Sequence, residues 1–105
     1  LTFSFLFAMF KAAENVEAIV IDMNNHCETT MRVDGLSTMS HLKLLIFDSY
    51  FKMNFSGWLV NLSNELEYLD WTNYPFECLP QSFEPNKLVD LMLLRSNIKH
   101  LWKDT

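Results

Sequence analysis

The chain has 105 residues, half of them hydrophobic, and a formal charge of −5. That is enough apolar material for one modest core, and the wrong sign for a surface that tracks nucleic-acid phosphates. Two glycines and three prolines leave little room for flexible linkers or low-complexity segments. The two cysteines, Cys27 and Cys78, form no close-spaced motif, so no disulfide framework is expected, which fits a reducing compartment.

The chain opens on "LTFSFLFAMF", an apolar run too short to cross a bilayer core of about 30 Å as a helix. A membrane partner is therefore not expected. Three readings meet here. Ala12 and Ala13 after the run, with the sequons at Asn54 and Asn61, suit a secretory signal, but the run lacks a basic leading region. A buried apolar segment and a translated intron end are the others. Residues 1–13 are set apart on these grounds from the remainder, 14–105.

From residue 14 onward the apolar residues recur in a frame that is neither a strand's strict alternation nor a helical stripe. In "KLVDLMLLRSNIKHLW", Leu88, Leu91 and Leu93 occupy positions 1, 4 and 6, followed by Ile98 and Leu101 at 11 and 14. A step of 22 residues back lie Leu66, Leu69 and Trp71, with Leu79 matching Leu101; a further 24 back lie Leu42, Leu45 and Phe47, and 26 more reach Val16, Ile19 and Ile21. Four units share the frame, and their periods fall within the range of about 20–29 residues of leucine-rich repeats.

Such a frame describes a short strand followed by a return loop. Positions 4 and 6 point inward, position 1 anchors the approach, and positions 11 and 14 anchor the return along the convex side. The expected fold is α/β: a leucine-rich-repeat solenoid of about four irregular repeats, with parallel strands in chain order and Ile19, Leu45, Leu69 and Leu91 in one buried column. Position 9, where Asn or Cys usually satisfies backbone groups at the turn, holds Asn24, Tyr50, Tyr74 and Ser96. Asn24 fits, Ser96 partly substitutes, and the tyrosines do not fit. On the convex side "RVDGLSTMSHL" is expected to form a short helix burying Leu36 and Met39. "LPQSFEPNKL" reads as a tight or 3₁₀ turn with Phe83 inward, limited by Pro80 and Pro85.

No constellation for chemistry emerges. Gly35 and Gly57 are the only glycines and cannot supply a phosphate-binding loop. His26, Cys27, His41, Cys78 and His100 lack the paired spacing of a structural zinc site, and no Cys/His pair has an orienting third group. Trp71, at an inward position, reads as core rather than as a stacking platform. No catalytic, cofactor-binding or metal-ligating residue is assigned.

The concave face follows from register, because positions 3, 5 and 7 alternate with the inward ones. Position 3 holds Ala18, Leu44, Tyr68 and Asp90; position 5 holds Val20, Ile46, Asp70 and Met92; position 7 holds Asp22, Asp48, Thr72 and Leu94. A face so apolar with an acidic border is expected to contact a protein. Val20, Leu44, Ile46, Tyr68, Asp70, Met92 and Leu94 are the candidate contact residues. The alternative is cover by the chain's own N-terminal segment.

"NVEAIVIDM", "GLSTMSHLKLLIF", "LSNELEYLDWTNYPFECLPQSFEPNKLVDL" and "SNIKHLW" resemble the first leucine-rich repeats of plant intracellular immune receptors that also carry a Toll/interleukin-receptor-like domain and a nucleotide-binding domain. The resemblance covers residues 14–105 and leaves out "LTFSFLFAMF". It implies a non-catalytic regulatory module in the cytoplasm, or in nucleus and cytoplasm, that packs against the receptor's nucleotide-binding domain and contributes to recognition of a pathogen effector or a guarded host protein. Nucleotide binding would then lie outside this chain. A secreted or membrane-associated recognition protein on the same scaffold is the alternative.

Overall fold

The computed structural model describes residues 15–22, 30–48 and 54–102. Its elements, in chain order, are β1 (Ala18–Asp22), β2 (Thr30–Arg32), a 3₁₀ helix (Asp34–Thr38), β3 (Leu44–Asp48), β4 (Asn54–Ser56), β5 (Tyr68–Trp71) and β6 (Asp90–Met92). Strands β1, β3, β5 and β6 form one sheet in that order, and β2 pairs with β4 in a second. Every pairing is parallel.

The register of the larger sheet reproduces the spacing of the apolar frame. Ile19 stands opposite Leu45, Leu45 opposite Leu69, and Leu69 opposite Leu91. A parallel pair needs a long crossover, and the sequence between strands supplies it. Within each strand, side chains alternate between the two faces, so β1 alternates exposed and buried along its five residues. Ile19, Leu45 and Leu69 are fully buried, as are Leu42 and Leu66 at the approach positions. Each such side chain contributes about 1.5–3 kcal/mol relative to leaving it in water. Leu91, expected in the same buried column, is only half-buried, because β6 ends the sheet and no described strand covers its far side.

One backbone device repeats between successive strands of the larger sheet. The Glu17 carbonyl accepts from the N–H groups of Lys43 (2.7 Å) and Leu44 (3.2 Å); the Lys43 carbonyl accepts from Glu67 (2.8 Å) and Tyr68 (3.2 Å); the Glu67 carbonyl accepts from Val89 (2.7 Å) and Asp90 (3.2 Å). Each carbonyl thus satisfies two donors of the next unit and locks the height at which that unit begins.

The return segments carry the rest of the core. The 3₁₀ helix buries Leu36, and Met39 is buried just beyond it, with turns closed by Leu36 N–H to the Val33 carbonyl and Met39 N–H to the Leu36 carbonyl. Phe83 is buried by a turn in which its N–H reaches the Pro80 carbonyl at 3.0 Å. The β2/β4 pair was not expected from the sequence. It continues into a bond from Val33 N–H to the Ser56 carbonyl. There the chain turns at Gly57 (φ +83°), a backbone angle that favours glycine; a Cβ would stand 2.9 Å from Asp34 Oδ1, the movable end of that side chain.

An aromatic cluster joins the two sheets. Trp71 packs on Phe47 (centroids 4.6 Å apart), on Phe55 of β4 (5.4 Å) and edge-on to Tyr74 (5.0 Å). Tyr74 corrects an expectation at position 9. It is buried, and its hydroxyl donates to the Cys78 carbonyl at 2.8 Å, so a longer side chain satisfies a turn carbonyl from inside the core. Ser96 acts as expected, its Oγ accepting from Ile98 N–H at 3.4 Å. Asn24 and Tyr50 lie outside the described residues. Leu101, expected as an inward anchor, is 43% exposed, whereas its counterpart Leu79 is buried. The two are joined instead by Leu79 N–H donating to the Leu101 carbonyl.

Candidate protein-contact face

The open face of the four-stranded sheet gathers the candidate residues. Val20, Tyr68, Met92 and Leu94 are exposed, with Val20 at 57% and Leu94 at 56%, and Leu44, Ile46 and Asp70 are half-buried. Register sets Leu44 beside Tyr68 and Ile46 beside Asp70, and Asp70 beside Met92. These five, with Asp90 and the backbone level of Leu69, line a shallow depression of about 110 Å³. Val20 lies on the neighbouring strand opposite Ile46, and Leu94 follows the end of β6. Thr72, expected on this face, is buried at 6% exposure. Strand β5 ends at Trp71 and the chain turns inward, with Thr72 N–H donating to the Phe47 carbonyl at 3.0 Å.

The electrostatics of the face are acidic. Asp22 and Asp48 are register partners, and no basic residue occupies positions 3, 5 or 7 of the four units. The Asp70 carboxyl is pushed above its ordinary range, first by burial and then by the carboxylates of Asp48 and Asp90. Three basic side chains pair elsewhere: Lys43 with Glu17, Lys99 with Glu77 and Arg32 with Asp34. Asp48 and Asp90 belong with the site yet were not among the candidate residues. The signal for them was the same register that located Asp70.

Other groups with chemical potential are dispersed. His41 Nδ1 lies 3.3 Å from Glu65 Oε2, Cys78 is a half-buried free thiol, and burial pushes the Tyr74 phenol up. Trp102 is half-buried and its indole donates to the Phe83 carbonyl at 3.1 Å. His26 and Cys27 lie outside the described residues. A second hollow, lined by Trp58, Val60, Phe76 and Cys78 among others, opens beside the return segments. Among the described residues no helix is long and apolar enough to cross a membrane.

Over most of its length the chain is homologous to a segment of plant disease resistance proteins. It is 35% identical over 103 residues to the disease resistance protein RPP2B of Arabidopsis thaliana, covering 87% of this chain and 8% of that protein. To the disease resistance protein RRS1 of the same plant it is 33% identical over 105 residues, covering 94% and 8%. To RPP2A it is 36% identical over 96 residues, covering 86% and 7%. The chain therefore spans less than a tenth of the length of these curated relatives. No family model matches the chain, and no solved structure does.

Proposed function

We propose that this chain is a leucine-rich-repeat segment acting as a non-catalytic contact module of a plant intracellular immune receptor. Four parallel strands in chain order, with the 1-4-6 frame turned inward, support the solenoid reading. Homology to RPP2B and RRS1 supports a role in defence. The observation that carries the contact reading is the open face, where Val20, Tyr68, Met92 and Leu94 remain exposed on a sheet whose other face is the core.

In this reading the concave face packs against the receptor's nucleotide-binding domain and favours the inactive arrangement. A pathogen effector, or a host protein it modifies, competes for contact and shifts the population toward the active one. Differential contact is the whole mechanism; the nucleotide chemistry belongs to a domain outside this chain.

Ile46→Asp combined with Met92→Asp, in a receptor containing this segment, tests the reading. Both residues project from the open face, and burying an unpaired carboxylate at a contact there would weaken docking by about 3 kcal/mol. Signalling without effector is expected if the face restrains the receptor, and loss of the response if it receives the effector. Unchanged resting and triggered signalling at normal protein levels would exclude both contacts. Attachment of glycans at Asn54 or Asn61 in plant tissue would instead favour the secreted alternative.

A further inference from the structure

Carboxylates cross the apolar open face along a diagonal. Asp48 ends β3; Asp70 stands opposite Ile46, two residues nearer the strand start; Asp90 stands opposite Tyr68, two residues nearer again. With strands about 4.8 Å apart and same-face neighbours about 6.6 Å apart along a strand, successive members are roughly 8 Å apart at Cα. Apolar residues lie on both sides of the line: Leu44, Ile46 and Tyr68 on one, Met92 and Leu94 on the other.

The middle carboxylate is the informative one. Asp70 is half-buried and flanked by two like charges, so it ionises less readily than an ordinary aspartate in the free protein. Covering this face with a purely apolar surface would strip water from three carboxylates and return nothing. "LTFSFLFAMF" contains no basic residue, and Thr2 and Ser4 are its only polar side chains, which argues against the chain's own N-terminal run as the occupant. A single metal ion does not suit the three either: the outer pair, Asp48 and Asp90, stand roughly 16 Å apart at Cα, and among the described residues no group of three such side chains could hold one.

Resting on the reading of this face as a docking surface, we propose that its partner is a protein surface both amphipathic and cationic. Apolar side chains seat against Ile46, Tyr68 and Met92, while Lys or Arg side chains reach Asp48, Asp70 and Asp90. The cations remove the repulsion among the three carboxylates, so the face selects against acidic partners of equal hydrophobicity and draws basic ones in by long-range attraction.

The test uses the 105-residue chain and two synthetic helical peptides with the same leucine face, one carrying lysine at its polar positions and the other glutamate, followed by fluorescence anisotropy. The lysine peptide is expected to bind, less tightly as salt is raised, and at least about tenfold more tightly than the glutamate peptide. Asp48→Asn/Asp70→Asn/Asp90→Asn is expected to weaken the lysine peptide at least about tenfold. Glu65→Gln/Glu77→Gln/Glu84→Gln, which makes the same change in net charge away from the face, is expected to leave binding within about twofold. Circular dichroism of each variant verifies that it is folded. Failure of the lysine peptide to bind, equal affinity for the two peptides, or equal losses in the two triple variants overturns the inference. Where either peptide binds, Ile46→Asp/Met92→Asp separates the two readings. If that variant abolishes binding, the face docks proteins and only the charge selection is wrong; if it changes nothing, the docking reading falls too.

Discussion

Asn73 and Arg95 occupy the same place in successive units, each in the left-handed region at φ 65° and 52°, and Asn73 N–H donates at 2.8 Å to the carbonyl of Leu94, the residue before Arg95. Both β5 and β6 are thus followed by the same sharp turn, and the two turns are hydrogen-bonded to each other. Most side chains pay about 1–2 kcal/mol in this conformation, and Asn is among the few that adopt it readily.

Asn73→Gly should therefore be tolerated better than Asn73→Val, which should be less stable than the Gly variant by about 2 kcal/mol, because a β-branched side chain clashes at positive φ. Urea unfolding at neutral pH measures both. Equal stability of the Val and Gly variants would show that the turn relaxes out of the left-handed region at little cost.

Trp71 is fully buried, yet among the described residues its indole N–H has no hydrogen-bond partner; its ring packs against those of Phe47, Phe55 and Tyr74. An unsatisfied buried donor costs about 1–3 kcal/mol, so the site holds tryptophan for its volume. Trp71→Phe is expected to stay within about 1.5 kcal/mol of the parent, and Trp71→Ala to lose about 3–5 kcal/mol. Chemical denaturation decides this, and a Phe variant as damaged as the Ala variant would reveal that the N–H matters.

Asp70 has a carboxyl pKa raised in the folded chain above its ordinary value of 3.8, by burial first and neighbouring aspartates second. The folded state then binds this proton more tightly than the unfolded state does. Its contribution makes stability fall as pH rises from the unfolded value through the folded one, and level off above it. Asp70→Asn should remove that fall, giving a variant more stable than the parent at neutral pH and not at acid pH. Urea midpoints at the two pH values measure it. A variant less stable than the parent at neutral pH would mean that the carboxylate is favourably held.

The strands and their pairing were legible because a 1-4-6 frame encodes which side chains point inward, and equal frames placed side by side leave one register. Ile19, Leu45 and Leu69 could be aligned by counting alone. The β2/β4 pair escaped because "TMR" and "NFS" are three residues each, too short to show a period, and their pairing is set by the length of the return loops. The contact face was legible as a set of positions. Its depression was not, because Leu44, Ile46, Tyr68, Asp70 and Met92 come from three different stretches of chain.

What the sequence by itself determined is the inward and outward assignment of the four strands, since alternation is a local property of extended backbone and burial follows hydrophobicity. Only the tertiary structure decided how far each assigned side chain is covered. Leu91 and Leu101 have the right chemistry for a core and remain half-buried and exposed, while Thr72 and Tyr74, polar or too large by the pattern, are enclosed. Burial is shared between neighbours: a side chain is removed from water by the units on either side of it, and its own residue type sets only what that removal is worth.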